Sequence, residues 1–376
     1  MHTPVHYDHV VVVSVDGLRA DALPGGPDSL WERMGRRMPP ELLGLSRLLE
    51  RGAWFGNVVS ASPDPAVAHG AMLTGQYPLH NGLCDQLGNL RAPSLFTHAR
   101  RHGRGTVLRT DSPGVLGPTA GFTREVDLSL VGDDERFFDA IAAAESALGF
   151  AHFSLGPSVP GTDADGARRA CAETVERFAA DRLAPFLDRL TRQAEDSARR
   201  LLLVITAGHG TSWDPSEDGL PGPLAEGCLR VPLVVIGDGV APVHHTRRIR
   251  TVDITPTVLE LSGIPVAVSG LFDGRSLAPV VVGQEKLGND APAVAGIYER
   301  DRTVEAGYLG DLKVVRRDRA VRVERFDARG EPRLVADDGA EVLAMLDDYG
   351  TARAEPGQVA VTDEMRVQLR SQGYSV

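Results

Sequence analysis

His9-Val10-Val11-Val12-Val13-Ser14-Val15-Asp16-Gly17, HVVVVSVDG, is a short apolar run of mostly β-branched residues that ends in a carboxylate and a glycine. It is too short for a buried helix and apolar on both faces of any strand it forms. Such a strand needs cover on both sides, as in a parallel sheet. Five more runs have the same character: AWFGNVV from Ala53, GTVLRT from Gly105, FAHFSLG from Phe150, LLLVITAG from Leu201 and VPLVVIG from Val231. Between them lie stretches of helical periodicity: PELLGLSRLLERG from Pro40, DDERFFDAIAAAESALG from Asp133, and the long segment from Asp163 to Arg200, with aspartates at the N-cap positions. The alternation predicts an α/β fold, a mostly parallel central sheet with helices on both faces.

Composition changes from Leu277 onward, where Gly, Asn and Pro cluster. This places a boundary between Gly283 and Pro292, dividing a main α/β domain over 1–285 from a small α+β subdomain over 286–376. In the latter, AVAGIYER, GYLGDLKVVRR and AVRVERFD read as antiparallel strands, and GAEVLAMLDDYG and TDEMRVQLRSQG as helices.

The 376 residues are 42% hydrophobic and 24% charged, as in a globular protein. Lys and Arg number 40 against 51 Asp and Glu, a formal charge of −11 without long single-sign blocks, so no nucleic-acid partner is expected. The first apolar run has no basic flank and is too short for a signal or membrane helix, so a cytoplasmic protein with no membrane partner is expected. Cys84, Cys171 and Cys228 have no paired spacing and suggest neither a zinc site nor a disulfide framework.

Asp16 falls at the carboxyl end of a buried strand, where open α/β sheets bind ligands. It can ligate a divalent cation or cap the following turn. His209, just beyond LLLVITAG, can bind a metal through neutral imidazole or hydrogen-bond to a loop carbonyl. The stretch Ser62–Pro78, SPDPAVAHGAMLTGQYP, reads as the start of a helix, with Asp64 and Pro65 a good N-cap and N1 pair.

Together with Leu73–Pro78 (LTGQYP), the segments RVPLVV from Arg230, VDITPTVLELSGIP from Val252 and DGRSLAPVV from Asp273 resemble sulfatases of the alkaline phosphatase superfamily. The ordered matches span Val11 to Val281, and the tail resembles that family's small C-terminal subdomain. The resemblance implies hydrolysis of sulfate or phosphate esters, a divalent cation held by carboxylates and a His or Asn, and a nucleophile at a helix N-terminus. In sulfatases the nucleophile is a formylglycine made from Cys or Ser in C/S-x-P-x-R; in related phosphodiesterases it is Thr or Ser.

This sequence departs from that pattern. Counted back from Thr74-Gly75, the nucleophile position falls on Pro65, the motif Pro on Val67 and the motif Arg on His69. Where the family has Asp-His or Asp-Asn, this chain has Gly208-His209, and the Lys expected shortly after is missing. Asp163 and Asp165 have no His after them and are read as helix caps. None of the cysteines continues as x-Pro-x-Arg, so no formylglycine is expected. Glu226 matches a sheet-edge position without chemistry, and the basic stretch His244–Arg250 reads as a solvated face or an anion contact.

Three functions follow. One is a degenerate hydrolase acting as a binding or regulatory protein without metal, for a small anionic ligand or a protein partner. Another is a non-standard hydrolase of a small sulfate, phosphate or phosphonate ester, with Asp16, His209 and Asp64 holding Mn, Zn or Ca, and Asp64 and His69 as catalytic candidates. In that reading Asp64 is a ligand or a carboxylate nucleophile, unless Ser62 takes over. A biosynthetic enzyme of another reaction class that reuses the pocket is the third.

Overall fold

Strand β1 (His9–Asp16) is buried at every position, and its five valines each contribute about 1.5–3 kcal/mol by leaving water. The computed structural model that shows this describes residues 6–23, 34–35, 39–156, 164–212, 222–266, 271–299, 302–327 and 332–351. β1 is the centre of a nine-stranded sheet that also holds β2 (Ala53–Val59), β3 (Gly105–Thr110), β4 (Leu128–Val131), β5 (Ala147–Ser154), β6 (Leu201–Thr206), β7 (Arg230–Ile236), β8 (His244–His245) and β9 (Ile249–Arg250). The order is β4-β3-β5-β1-β6-β7-β2-β8, with β9 beside β2.

The five strands from β4 to β6 are mutually parallel, and β7 runs antiparallel to both β6 and β2. The sheet is therefore mostly parallel, as the apolar runs predict. Among the described residues, the helices of seven residues or more are α1 (Leu43–Leu49), α2 (Pro65–Thr74), α3 (Leu95–Arg101), α4 (Asp134–Ala143), α5 (Ala164–Phe178), α6 (Ala184–Asp196), α7 (Ile254–Leu261) and α8 (Ala340–Thr351).

Two elements differ from the reading of their sequence. Helical periodicity continues through ESALG, but α4 stops at Ala143, Ala144 is extended, and β5 starts at Ala147. Gly149 explains the strand: a Cβ there would lie 2.7 Å from Cζ of Phe137, so only glycine lets α4 pack this closely. The long helical segment is interrupted by a π turn over Ala179–Leu183. Pro185 follows it and has no N–H for the regular ladder, so the wide turn accommodates the lost bond.

The C-terminal part folds as an antiparallel sheet of β10 (Ala293–Glu299), β11 (Arg302–Leu309), β12 (Leu312–Arg317), β13 (Ala320–Phe326) and β14 (Pro332–Leu334), with α8 packed on β11. TDEMRVQLRSQG lies outside the described residues. The small sheet is bonded to the start of α2: Gly296 N donates to Ala61 O at 2.9 Å, and Ser62 Oγ to Gly296 O at 2.8 Å.

After α2, the turn Pro78–Asn81 is held by Asp273, which accepts from Tyr77 N at 2.7 Å and lies 2.8 Å from His80 Nδ1. That hydrogen bond raises the His80 pKa above its ordinary 6.5 against the opposing effect of burial. A raised folded value means that the contribution to stability is fully present below the unfolded pKa and is lost as pH rises through the folded one. The Tm gap between wild type and His80→Phe is therefore expected to be wider at pH 6 than at pH 9. A gap that stays constant or widens with pH would contradict this.

Candidate functional site

The carboxyl edge of the parallel strands brings four side chains together. Asp16 ends β1, and Gly17 turns the chain away at φ +86°. His69 comes from α2, His152 from β5, and His209 from the segment after β6. His69 and His152 are fully buried, Asp16 is 7% exposed, and only His209 has a substantial edge toward solvent, at 19% of its side chain. Asp16 Oδ2 lies 2.9 Å from His152 Nε2; Asp16 Oδ1 lies 3.6 Å from His69 Nε2 and 3.9 Å from His209 Nε2.

Hydrogen bonding fixes where two of these imidazoles keep their protons. His69 Nδ1 is 2.7 Å from Pro65 O and His209 Nδ1 is 2.8 Å from Gly210 O. A carbonyl only accepts, so each Nδ1 carries the hydrogen, and in the neutral ring each Nε2 is a lone pair. Burial keeps His69 neutral, pushing its pKa down to about 4 although Asp16 pulls the other way. Ser14 Oγ, 2.9 Å away, donates to His69 Nε2.

Burial on its own would raise the Asp16 carboxyl. The His69, His152 and His209 imidazoles outweigh it and hold the group well below the usual carboxylate range. Asp16 Oδ1 is buried and accepts no hydrogen bond. A carboxylate oxygen thus faces the His209 Nε2 lone pair and the His69 Nε2 to which Ser14 donates, donors that a cation can take up once the Ser14 hydroxyl turns aside. Among the described residues, Asp16, His69 and His152 are the set whose ligand atoms all lie within 4.8 Å of one another.

The helix that begins beside this cluster has a carboxylate, and no hydroxyl or thiol, at its first turn. Asp64 caps α2 by accepting from Ala66 N at 3.0 Å and Val67 N at 3.2 Å, and Pro65 occupies N1. Such a cap stabilises by about 1 kcal/mol and occupies the N–H groups that would otherwise meet an anion. Burial raises the Asp64 pKa against hydrogen bonds from Gln86 and Val67, the nearby His209, and Ala66 N–H. The Ser62 hydroxyl is committed to Gly296 O and accepts from Asp64 N at 3.1 Å.

Gly208 explains the missing carboxylate. A Cβ at this position would lie 2.5 Å from His69 Cε1, 2.8 Å from His69 Nδ1 and 2.9 Å from Asp16 Oδ1. The ring of His69 fills the space a side chain at 208 would take. The two departures seen separately in the sequence, His69 and Gly208, touch in the fold: an imidazole from α2 stands where a carboxylate from the β6 edge would enter.

Of the residues singled out in the sequence, Asp16, His69 and His209 converge, while Asp64 sits at the helix start and interacts with His209. Asp165 is exposed and pairs with Arg168, and Asp163 lies outside the described residues. The basic stretch does not converge on one point: Arg248 donates to Ala291 O and Gly310 O, Arg250 pairs with Asp253, and Arg247 stands 3.5 Å from Asp290. Sequence reading missed His152. Its signal is a single ionisable side chain inside FAHFS, a strand that is otherwise apolar.

No protein-family model matches the chain. A choline-sulfatase of Rhizobium meliloti (strain 1021) is 34% identical over 97 residues, which is 26% of this chain and 18% of the length of that relative. Solved structures match over nearly the whole chain. A putative sulfatase from Bacteroides thetaiotaomicron VPI-5482 superposes with a TM-score of 0.72 at 15% identity, covering 97% of this chain and 94% of the other. A 2-O GAG sulfatase gives 0.70 at 14% identity with the same two coverages. The phosphonate monoester hydrolase of Silicibacter pomeroyi gives 0.68 at 15%, covering 95% and 98%. The chain has the fold of the sulfatases and of the alkaline phosphatase superfamily, so the resemblance read in the sequence is borne out at the level of the fold. Among the described residues no helix is long and apolar enough to cross a membrane.

Proposed function

We propose that the protein holds one divalent transition-metal ion through Asp16, His69 and His209, and acts with it on a small sulfate, phosphate or phosphonate ester in the cytoplasm. The observation that carries this reading is the buried, unpartnered Asp16 Oδ1 facing the Nε2 atoms of two rings that have spent their protons on backbone carbonyls; the Ser14 hydroxyl that donates to His69 Nε2 has to turn aside for the ion. Nitrogen-rich donors with one carboxylate suit Zn²⁺ or Mn²⁺ better than Ca²⁺, which prefers six to eight oxygens. A bound ion of this kind supplies Lewis acidity toward an ester oxygen. The chain's own residues do the rest: Pro65 orients His69 through Nδ1, Gly210 orients His209, and the exposed edge of His209 is where a small anion meets the cluster.

A second reading, a degenerate hydrolase that binds an anionic ligand or a protein partner, draws on a different observation. The Asp64–Pro65 cap puts a carboxylate, and no hydroxyl or thiol, at the head of α2. Elemental analysis separates the two, on protein dialysed against metal-free buffer and then reloaded with Mn²⁺, Zn²⁺ or Ca²⁺. Stoichiometric Zn or Mn that is absent from Asp16→Ala and His209→Ala is expected. No metal under any loading would overturn the first reading in favour of the second.

A further inference from the structure

We propose that His152 is a positioning residue of this centre and not one of its ligands. Thr110 fixes its tautomer, and it fixes Asp16 so that Oδ1 alone is presented to the ion. The inference rests on the metal reading above. Thr110, His152 and Ser14 stand side by side on adjacent strands, in register across β3, β5 and β1, and all three are buried. Proximity alone would allow His152 to ligate, since a ring nitrogen of His152, a carboxylate oxygen of Asp16 and a ring nitrogen of His69 lie within 4.8 Å of one another.

Hydrogen bonding separates it from the other imidazoles. Thr110 Oγ1 accepts from Ser112 N at 3.0 Å and lies 2.8 Å from His152 Nδ1. With one acceptor position taken, its hydroxyl hydrogen is free to point at Nδ1, an arrangement that places the ring proton on Nε2. At 2.9 Å from Asp16 Oδ2 that proton is required, because the other tautomer would set a lone pair against an anionic oxygen in a buried pocket. His69 and His209 are the reverse case, with Nδ1 protonated and Nε2 at 3.6 and 3.9 Å from the other oxygen. The His69 and His152 rings meet edge to face, with centroids 5.1 Å apart and planes at 85°, so neither turns freely.

The consequence is selectivity. With Oδ2 bound to His152, Asp16 offers the ion a single oxygen, and the site presents two nitrogens and one oxygen. Ions that need many oxygens are disfavoured, and those content with few mixed donors are retained.

Co²⁺ is the probe, read by its visible absorption and by titration, with Thr110→Val, His152→Leu and His152→Gln. Gln keeps an N–H donor near the place of Nε2 but is a poor replacement for an imidazole ligand. The expected result is that Thr110→Val and His152→Leu bind Co²⁺ about 10- to 100-fold more weakly with an unchanged band shape. His152→Gln is expected to recover most of the affinity with the same spectrum. A changed spectrum in His152→Gln would make His152 a ligand and overturn the proposal. Long-range ¹H–¹⁵N correlation on metal-free wild type, assigned by the loss of one signal in His152→Gln, reads the tautomer directly. A proton on Nε2 supports the proposal, and a proton on Nδ1 overturns it. If wild type binds no Co²⁺, the metal reading fails with it, and the spectrum still decides whether His152 donates to Asp16.

Discussion

Gly208→Ala is expected to destabilise the protein by about 1–3 kcal/mol, the usual cost of forcing a methyl into a filled core, and to abolish metal binding. The backbone at 208 is not in the left-handed region, so glycine is not needed there for its conformational freedom. Space is the reason: the new Cβ would fall 2.5 Å from Cε1 of a ring that is fully buried and held at both nitrogens, by Pro65 O and Ser14 Oγ. The ring has to leave, or the segment after β6 has to move, and either change separates His69 from Asp16. A double-mutant cycle with His69→Ala isolates the cause, because removing the ring removes the clash. The pair is expected to be less destabilised than the sum of the singles, by about 0.5–3 kcal/mol. Strict additivity, or a Gly208→Ala protein with the wild-type Tm and metal content, would show that His69 does not fill this space.

That contact also shows how much of the site the sequence reveals. Asp16 and His209 are legible because a polar residue at the end of a long apolar run marks the carboxyl edge of a buried strand. The parallel core is legible for the same reason, since residues buried on both faces leave no alternation. The antiparallel direction of β7 between β6 and β2 is not, because an apolar run such as VPLVVIG carries no sign of its orientation. His152 is hidden within an apolar strand, and its partner Asp16 is 136 residues away in the chain. Gly208 and His69 are each visible as a departure from the family pattern, but their complementarity lies in a distance that no linear motif encodes.

Glu226→Leu, in the segment just before β7, is expected to cost about 3–5 kcal/mol by stripping two residues of the small sheet of their acceptor. Lys313 on β12 is only 1% exposed, and its ammonium donates to Glu226 Oε1 at 2.8 Å and to Leu224 O at 2.7 Å. Tyr308 OH on β11 donates to the same carboxylate oxygen at 2.8 Å. Burial would raise the Glu226 pKa, but Lys313, Arg230 and these hydrogen bonds lower it, so the carboxylate is ionised. The next carboxylate, Glu324, is 3.9 Å from Nζ and makes no close hydrogen bond to it. Removing Glu226 therefore leaves a buried cation and a buried phenol without their main acceptor. The segment that carries Glu226 also holds the loop beyond the Asp16 cluster, through Gly210 N to Cys228 O at 2.8 Å, so loosening it is expected to weaken the proposed metal binding through His209. Glu226→Leu combined with Lys313→Leu removes both charges and is expected to recover much of the lost stability, since an apolar pair in place of a buried ion pair is often neutral. Urea unfolding of the two singles and the double measures this. A Glu226→Leu midpoint equal to wild type would mean that Leu224 O and Glu324 suffice for Lys313.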